Sequence, residues 1–325
     1  METRKIQKTG IATYIVSLPK TWIVKKGLKA GDKVNIIEEK DQSLRICLDY
    51  KDPLKKEVEI KLNKDISLEE FLRKFTAHYL DGATKITILI NDKKNIFKEI
   101  TLNLKRFMGY EIVEQSSSKL IIQDFFTSEN LSLTKTIRRE FNISKMVIEE
   151  SRGILNKEIN NLNNIELWEE EVDKLYLFLR RQINFAIHNS SILKNFEVTL
   201  KECQDYLLLI DAIEKITDSF YTISQNALQI EAISEKSLKR LNTIYDRILE
   251  SYEIAFSSIF KKSFKDSNTN YEKIKEILNY NITIHEENLN EKSKENLYMI
   301  LANLHTIINY LEEIAEIGLG VDEEN

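Results

Sequence analysis

Two acidic stripes in the second half of the sequence are the residues best suited to chemistry. One runs through Asp211, Glu214 and Asp218, whose spacings of three and four place them on one face of a helix. The other comprises Glu166, Glu169, Glu170 and Asp173. Carboxylates that face each other across two helices of a bundle can hold hard divalent metal ions. The stripes therefore predict a metal site, with a solvated acidic face on a charged helix as the alternative.

The sequence contains no pattern that predicts a catalytic centre. There is no Gly-rich phosphate loop, and no Ser-His-Asp or Cys-His arrangement in a plausible context. His305 would share a helix face with Glu312 and Glu316, but a single helical histidine more often has a structural role. We expect that the protein is not an enzyme.

Basic residues are concentrated at the N-terminal end of the chain. Residues 1–50 contain ten Lys or Arg and six Asp or Glu, a net charge of +4, whereas the whole chain carries −5. The candidate DNA-contacting residues are Arg4, Lys5, Lys8, Lys20, Lys25 and Lys26. Because neutralised phosphates supply much of the affinity for DNA, this asymmetry favours a DNA-binding N-terminus. A dimerisation module with a solvated basic face is the alternative.

The helix breakers divide the chain into segments. Both prolines, Pro19 and Pro53, lie in the first sixth of the chain, and Gly153 is the only glycine between residues 131 and 317. Since glycine and proline interrupt helices, this stretch should consist of long helices. We predict two three-helix bundles, at 131–231 and 234–317. The six predicted helices span 131–162, 165–190, 198–231, 234–262, 269–288 and 291–317.

Alternating apolar residues predict strands before residue 126. In the first 50 residues, short strands at 12–18, 33–38 and 43–48 surround a two-turn helix at 19–27. Residues 54–126 have the order β-α-β-α-β-β, which predicts a small α+β domain of ferredoxin-like type with its helices on one face. A unit of about 50 residues with short strands buries too little apolar surface to be stable alone, so a second copy should complete it.

Cysteine usage and hydropathy bear on the cellular compartment. Cys47 and Cys203 are too far apart in sequence for a disulfide framework or a zinc motif. The N-terminus lacks the apolar core of a signal peptide, and no stretch approaches the roughly 18 apolar residues of a transmembrane helix. We therefore expect a cytoplasmic protein without a transmembrane segment.

Residues 2–49 contain four runs in a fixed order: Arg4-Lys5-Ile6, Tyr14-Ile15-Val16-Ser17-Leu18-Pro19-Lys20, Gly27-Leu28 and Gly31-Asp32-Lys33-Val34. In these runs and their order the segment resembles the SpoVT-AbrB (MazE-like) swapped-hairpin domain. It implies an interwoven homodimer that reads DNA with basic residues of its early hairpin and short helix. Arg4 and Lys5 match such positions, whereas Ile11 stands where a basic residue often follows the first glycine.

The helical segment contains the run Ile210-Asp211-Ala212-Ile213-Glu214-Lys215-Ile216-Thr217-Asp218 and the acidic pair Glu169 and Asp173. The run resembles the "DLERIGD" run of PhoU domains, and the pair resembles their acidic "E-x-x-x-D" pair. In the second bundle, Glu312 and Glu316 take the corresponding places. The resemblance implies a cytoplasmic negative regulator of phosphate uptake that acts through protein contacts and often binds iron, zinc, manganese or magnesium. All-carboxylate sites favour magnesium, manganese or iron over zinc.

Together these features predict a multidomain protein. It would join a swapped-hairpin β module at 1–50, an α+β domain at 54–126 and an all-α pair of PhoU-like three-helix bundles. The predicted function is a DNA-binding transcriptional regulator of phosphate homeostasis, whose partners are promoter DNA, a second copy of the chain, and phosphate transport or signalling proteins. One alternative is a PhoU-type adaptor in which the β module only dimerises, and another is a metal-storage or redox bundle.

Overall fold

The computed structural model describes residues 2–38, 43–48, 56–62, 66–90, 96–126, 132–279 and 290–320. By internal packing the chain divides into two compact units, Met1–Asp52 and Pro53–Asn325. The first is a β region, and the second joins a four-stranded sheet to a large helical body. The predicted multidomain fold class is therefore confirmed. The predicted turn at 39–42, the domain junctions at 51–55 and 127–131, and the predicted helical residues 280–288 lie outside the described residues.

The first unit consists of two hairpins and a short helix. Strand β1 (Gln7–Thr9) pairs with β2 (Thr13–Ile15), and β3 (Asn35–Glu38) pairs with β4 (Leu44–Cys47), both antiparallel. Helix α1 (Lys20–Lys25) follows Pro19 and precedes Gly27, which adopts a φ of 68°. Because glycine adopts a left-handed conformation at little cost, the helix ends where the sequence predicted.

Among the residues of the first unit whose burial is described, none is buried. Exposed large apolar side chains are Ile6, Ile11, Tyr14, Ile15, Val16, Val24, Ile36 and Leu44. So much apolar surface on so small a unit is unfavourable in water and is typical of a surface that is covered by a partner.

The second unit begins with a four-stranded sheet and two helices. These are β5 (Glu57–Leu62), α2 (Leu68–Leu80), β6 (Lys85–Ile90), α3 (Ile96–Leu104), β7 (Tyr110–Gln115) and β8 (Lys119–Asp124), in the predicted order. The strands lie in the order β5-β6-β8-β7, with β5 parallel to β6 and the other pairs antiparallel. A ferredoxin-like domain has the chain order β-α-β-β-α-β, so this sheet differs from the expected arrangement because its β7–β8 hairpin comes last.

The helical body follows the sheet. Its described helices are α4 (Leu133–Leu155), α5 (Asn163–Ile187), α6 (Ser190–Phe196), α7 (Leu200–Gln229), α8 (Glu235–Lys261), α9 (Phe264–Asn279) and α10 (Glu291–Leu319). Their apolar faces form one continuous core. Among the described residues, no helix combines the length and apolar character needed to cross a bilayer.

Helix α4 ends at Leu155 and not at residue 162 as predicted. Lys157 adopts a φ of 63°, and the N–H groups of Glu158 and Ile159 donate to the Gly153 carbonyl at 2.9 and 3.2 Å. Ile159 can fold back over the helix because Gly153 has no side chain, since a Cβ there would lie 2.7 Å from Ile159 Cδ1. The only glycine of this segment therefore marks a helix end.

Two other predictions about the helices were also wrong. The short helix α6 was missed, because residues 190–196 were divided between the end of one predicted helix and a break. The break predicted at residues 266–268 lies inside α9, which begins at Phe264. Two polar side chains of this stretch contact α8: Ser267 donates to Ser258 at 2.9 Å, and Asn270 donates to the Ser251 carbonyl at 2.9 Å.

Arg181 of α5 joins the helical body to the sheet. Its guanidinium donates to Asp124 Oδ2 at 2.6 Å and to the Ala83 carbonyl at 3.1 Å. It lies 4.8 Å from the ring centroid of Tyr79 and 4.9 Å from that of Tyr110. Arg181 is only 4% exposed, so this contact holds a buried charge at the junction of the two parts.

Candidate functional site

Three carboxylates converge on the surface of the helical body. Glu169 and Asp173 come from α5 and Asp218 from α7, and one oxygen of each lies within 4.8 Å of the other two. The two helices pack directly against each other. Three oxygen donors from facing helices form a set that suits a hard divalent cation. We call Glu169, Asp173 and Asp218 the outer cluster.

The outer cluster concentrates negative charge. Burial raises the pKa of Glu169 to about 7, and the charges of Asp173 and Asp218 contribute to this rise. Burial also raises the pKa of Asp218. For Glu214, burial outweighs the lowering effect of Lys215, and the pKa rises to about 7. A bound cation would favour the ionised forms of all four carboxyl groups.

Two basic side chains contact these acids. Arg106 Nη2 lies 2.8 Å from Asp173 Oδ2. Lys215 Nζ lies 2.8 Å from Glu214 Oε2 and 3.8 Å from Asp218 Oδ2. Arg106 belongs to the turn after α3, so a residue of the sheet domain reaches into the outer cluster. Any metal ion that binds here must compete with both basic groups.

The remaining predicted metal ligands lie outside the outer cluster. Asp211 accepts a hydrogen bond from the Tyr176 hydroxyl at 2.9 Å. Glu312 forms a hydrogen bond with the Tyr271 hydroxyl, which raises the pKa of Tyr271. Glu316 belongs to the same helix, α10. Within the described part of the chain, neither of these glutamates joins a close group of three potential metal ligands.

One acidic residue near the site, Glu140, was not among the predicted ligands. Glu140 of α4 is fully buried, and neither of its carboxylate oxygens has a hydrogen-bond partner among the described residues. Burial raises its pKa well above the ordinary value, and the charge of Glu214 adds to this shift. The signal was present in the sequence, because Glu140 lies on the apolar stripe of Ile137, Phe141 and Val147.

The predicted DNA-contacting residues are all exposed in the first unit. Arg4 and Lys5 precede β1, and Arg4 Nη2 forms an ion pair with Glu2 at 2.8 Å. Lys8 lies in β1 opposite Tyr14. Lys20 and Lys25 begin and end α1, and Lys26 is its C-cap. These side chains are therefore accessible to a polyanion.

Comparison with known proteins bears on the N-terminal part of the chain. The family model described as "Antidote-toxin recognition MazE, bacterial antitoxin" matches residues 7–65. This match covers most of the first unit and continues through β5 of the second. No curated protein and no solved structure matches the chain. The resemblance of the helical body to PhoU domains stays a prediction.

Proposed function

We propose, from the match of residues 7–65, that the protein is a DNA-binding or antitoxin-type regulator that works as a homodimer. The observation that carries this proposal is that the first unit exposes both large apolar side chains and its predicted DNA-contacting basic side chains. A second copy would cover the apolar surface, and the pair would present a doubled positive charge to a duplex.

The finer proposal is a transcriptional regulator of phosphate uptake. The N-terminal dimer would hold promoter DNA, and the helical body would sense phosphate status through a metal ion or a phosphate transport or signalling protein. Support comes from the resemblance of residues 131–317 to PhoU domains and from the outer cluster, which contains the acidic pair of that resemblance.

A second candidate is a protein-binding role for the first unit. The matched family is described by toxin recognition, so its fold also serves contacts between proteins. In that case the chain would be an adaptor whose β region only dimerises or binds a protein, with no affinity for its own promoter or for phosphate-uptake promoters.

Replacing Lys20, Lys25 and Lys26 by alanine should weaken DNA binding and its dependence on salt. The slope of log Kobs against log[salt] should become shallower by roughly 0.9 for each phosphate that the protein no longer neutralises. Fluorescence anisotropy with a labelled promoter fragment at several salt concentrations measures both quantities. The triple variant Lys236→Ala, Lys239→Ala and Lys261→Ala removes the same charge from exposed positions on α8 and is the control. Equal slopes for the two variants, or no binding by the wild type, would favour the adaptor.

We also propose that the outer cluster binds a divalent cation of the magnesium, manganese or iron class. The donor set consists of carboxylate oxygens. Burial, with the charges of Asp173 and Asp218, raises the pKa of Glu169 to about 7, and a bound cation would oppose this rise. The cation would link α5 to α7 and would remove Asp173 from its pairing with Arg106. Metal binding would thereby release a contact between the helical body and the sheet domain.

Arg106→Ala should increase the affinity of the protein for Mn²⁺ by about two- to fivefold. The Arg106 guanidinium competes with the cation for the Asp173 carboxylate. A partly exposed ion pair of this kind contributes roughly 0.5–1 kcal/mol. Isothermal titration of the chelator-treated protein measures the change. Lys105→Ala is the matched control, because Lys105 is the exposed neighbour and the net charge changes equally. An equal gain in both variants would mean that net charge alone, and not the contact with Asp173, governs the affinity.

A further inference from the structure

Beneath the outer cluster lies a buried layer of oxygen-bearing side chains. Ser144 of α4 accepts hydrogen bonds from Thr217 of α7 at 2.9 Å and from Tyr252 of α8 at 3.1 Å. All three residues are fully buried. Helices α4 and α7 run parallel here, because a second contact, Ser151 to the Phe220 carbonyl, lies further along both helices.

Glu140 and Glu214 occupy the adjoining layer. Glu140 precedes Ser144 by four residues and Glu214 precedes Thr217 by three, so each lies one turn earlier on the same face of its helix. In parallel helices these two positions face each other. The effect of the Glu214 charge on Glu140 agrees with this placement.

Glu140 is an exception to a strong rule. Buried polar groups nearly always have hydrogen-bond partners, and an exception calls for a specific explanation such as a bound ion. Both oxygens of Glu140 lack a partner among the described residues, and the charge that acts on Glu140 is that of Glu214, a second carboxyl group that is itself mostly buried. A buried carboxylate is costly unless a positive charge lies against it.

The acids become less exposed from the surface inward. The exposed side-chain fraction is 42% for Asp218, 21% for Asp173 and 11% for Glu214, and Glu140 is 0% exposed. Glu214 interacts electrostatically with Asp173, Asp218 and Glu140. Glu214 therefore connects the acids of the outer cluster electrostatically to Glu140.

We propose that Glu140 and Glu214 form an inner site for a second divalent cation of the Mg²⁺ or Mn²⁺ class, which enters through the outer cluster. This inference rests on the proposed metal binding by the outer cluster. Both proposed ligands are carboxylates and the hydroxyl groups of Ser144 and Thr217 lie one turn away, and hard cations prefer such oxygen donors. Lys215, which lies 2.8 Å from Glu214, is the group that the inner ion displaces.

The test is the metal content of the full-length protein. The protein is stripped with a chelator, dialysed against MnCl₂ and analysed for manganese per protomer. We expect two ions in the wild type and one in Glu140→Gln, which keeps the size of the side chain and removes its charge. Glu149→Gln, an exposed glutamate on the same helix, is the control and should retain both ions.

Thermal unfolding provides a second readout that does not depend on stoichiometry. Without metal, Glu140→Gln and Glu140→Leu should unfold at or above the temperature of the wild type, because an unpaired buried acid is gone. Addition of Mn²⁺ should raise the unfolding temperature of both variants less than that of the wild type. Glu140→Leu keeps this comparison available if the amide variant folds poorly.

The outcomes separate the two proposals. Unchanged manganese content in Glu140→Gln overturns the inner site, and Glu140 is then a neutral buried acid. Loss of one ion in Glu140→Gln and of at least one in Asp218→Asn supports both sites, whereas loss in Asp218→Asn alone supports the outer site and overturns the inner one. A wild-type protein that retains no manganese overturns both.

Discussion

Ile36→Asp should separate the dimer into monomers and abolish DNA binding. Ile36 of β3 lies opposite Ile46 of β4, and Glu38 lies opposite Leu44, so Ile36, Leu44 and Ile46 share one face of the hairpin. Ile36 and Leu44 are 63% and 65% exposed in the single chain. Burial of an isoleucine side chain contributes about 1.5–3 kcal/mol. Because each substitution occurs twice in a two-fold symmetric dimer, the dimer dissociation constant should rise by at least about a hundredfold.

Analytical ultracentrifugation of the full-length protein measures the dimer dissociation constant, and anisotropy with promoter DNA measures binding. The control is Leu102→Asp, which introduces the same charge at a leucine of α3 that is 53% exposed. It should leave both quantities unchanged. A dimer of undiminished affinity in Ile36→Asp would show that this hairpin face does not form the interface, and Leu44→Asp then tests the same face at a second position.

The sequence predicted the elements that depend on local patterns. The lack of proline and glycine is sufficient to predict the long helices, because these residues are the main local interruptions of a helix. The order of strands and helices in the sheet domain followed from the periodicity of apolar residues. The end of α4 was missed because Ile159 must pack on Gly153 to turn the chain, and that contact depends on tertiary structure.

The candidate site was predictable in part. Glu169, Asp173 and Asp218 were identified because spacing within a helix and a family resemblance pointed to the same residues. Asp211 was grouped with them because it shares the face of Asp218. Seven residues of helix rise by about 10 Å, too far for both to bind one ion. Residues that share a helix face therefore need not share a metal site.

The contacts that link distant segments were not predictable from one sequence. Arg106 and Asp173 are 67 residues apart, and Arg181 and Asp124 are 57 apart. No spacing rule connects such pairs, since they meet only when the sheet packs on the helical body. Glu140 gave a local signal, an acid on an apolar stripe, but its meaning depends on Glu214 of another helix.

Arg181→Met should destabilise the second unit more than any exposed substitution. The methionine keeps much of the apolar stem but leaves Asp124, whose side chain is 12% exposed, without its ion pair. Removal of one partner from a buried ion pair costs about 3–5 kcal/mol. The loss of the guanidinium between the rings of Tyr79 and Tyr110 adds to this cost.

Urea denaturation followed by circular dichroism and tyrosine fluorescence measures the free energy of unfolding. Arg180→Met is the matched control. Arg180 is the exposed neighbour on α5, and the contact given for it among the described residues is with Tyr176. The substitution should change the free energy of unfolding by less than about 1 kcal/mol.

If Arg181 holds the sheet on the helical body, the circular dichroism and tyrosine fluorescence transitions should no longer coincide in Arg181→Met, because the sheet domain and the helices then unfold separately. A single coincident transition at wild-type urea concentration would mean that the apolar contacts between sheet and helices suffice to join them. The double variant Arg181→Met with Asp124→Leu should recover part of the lost stability, because it replaces the remaining unpaired charge with an apolar side chain.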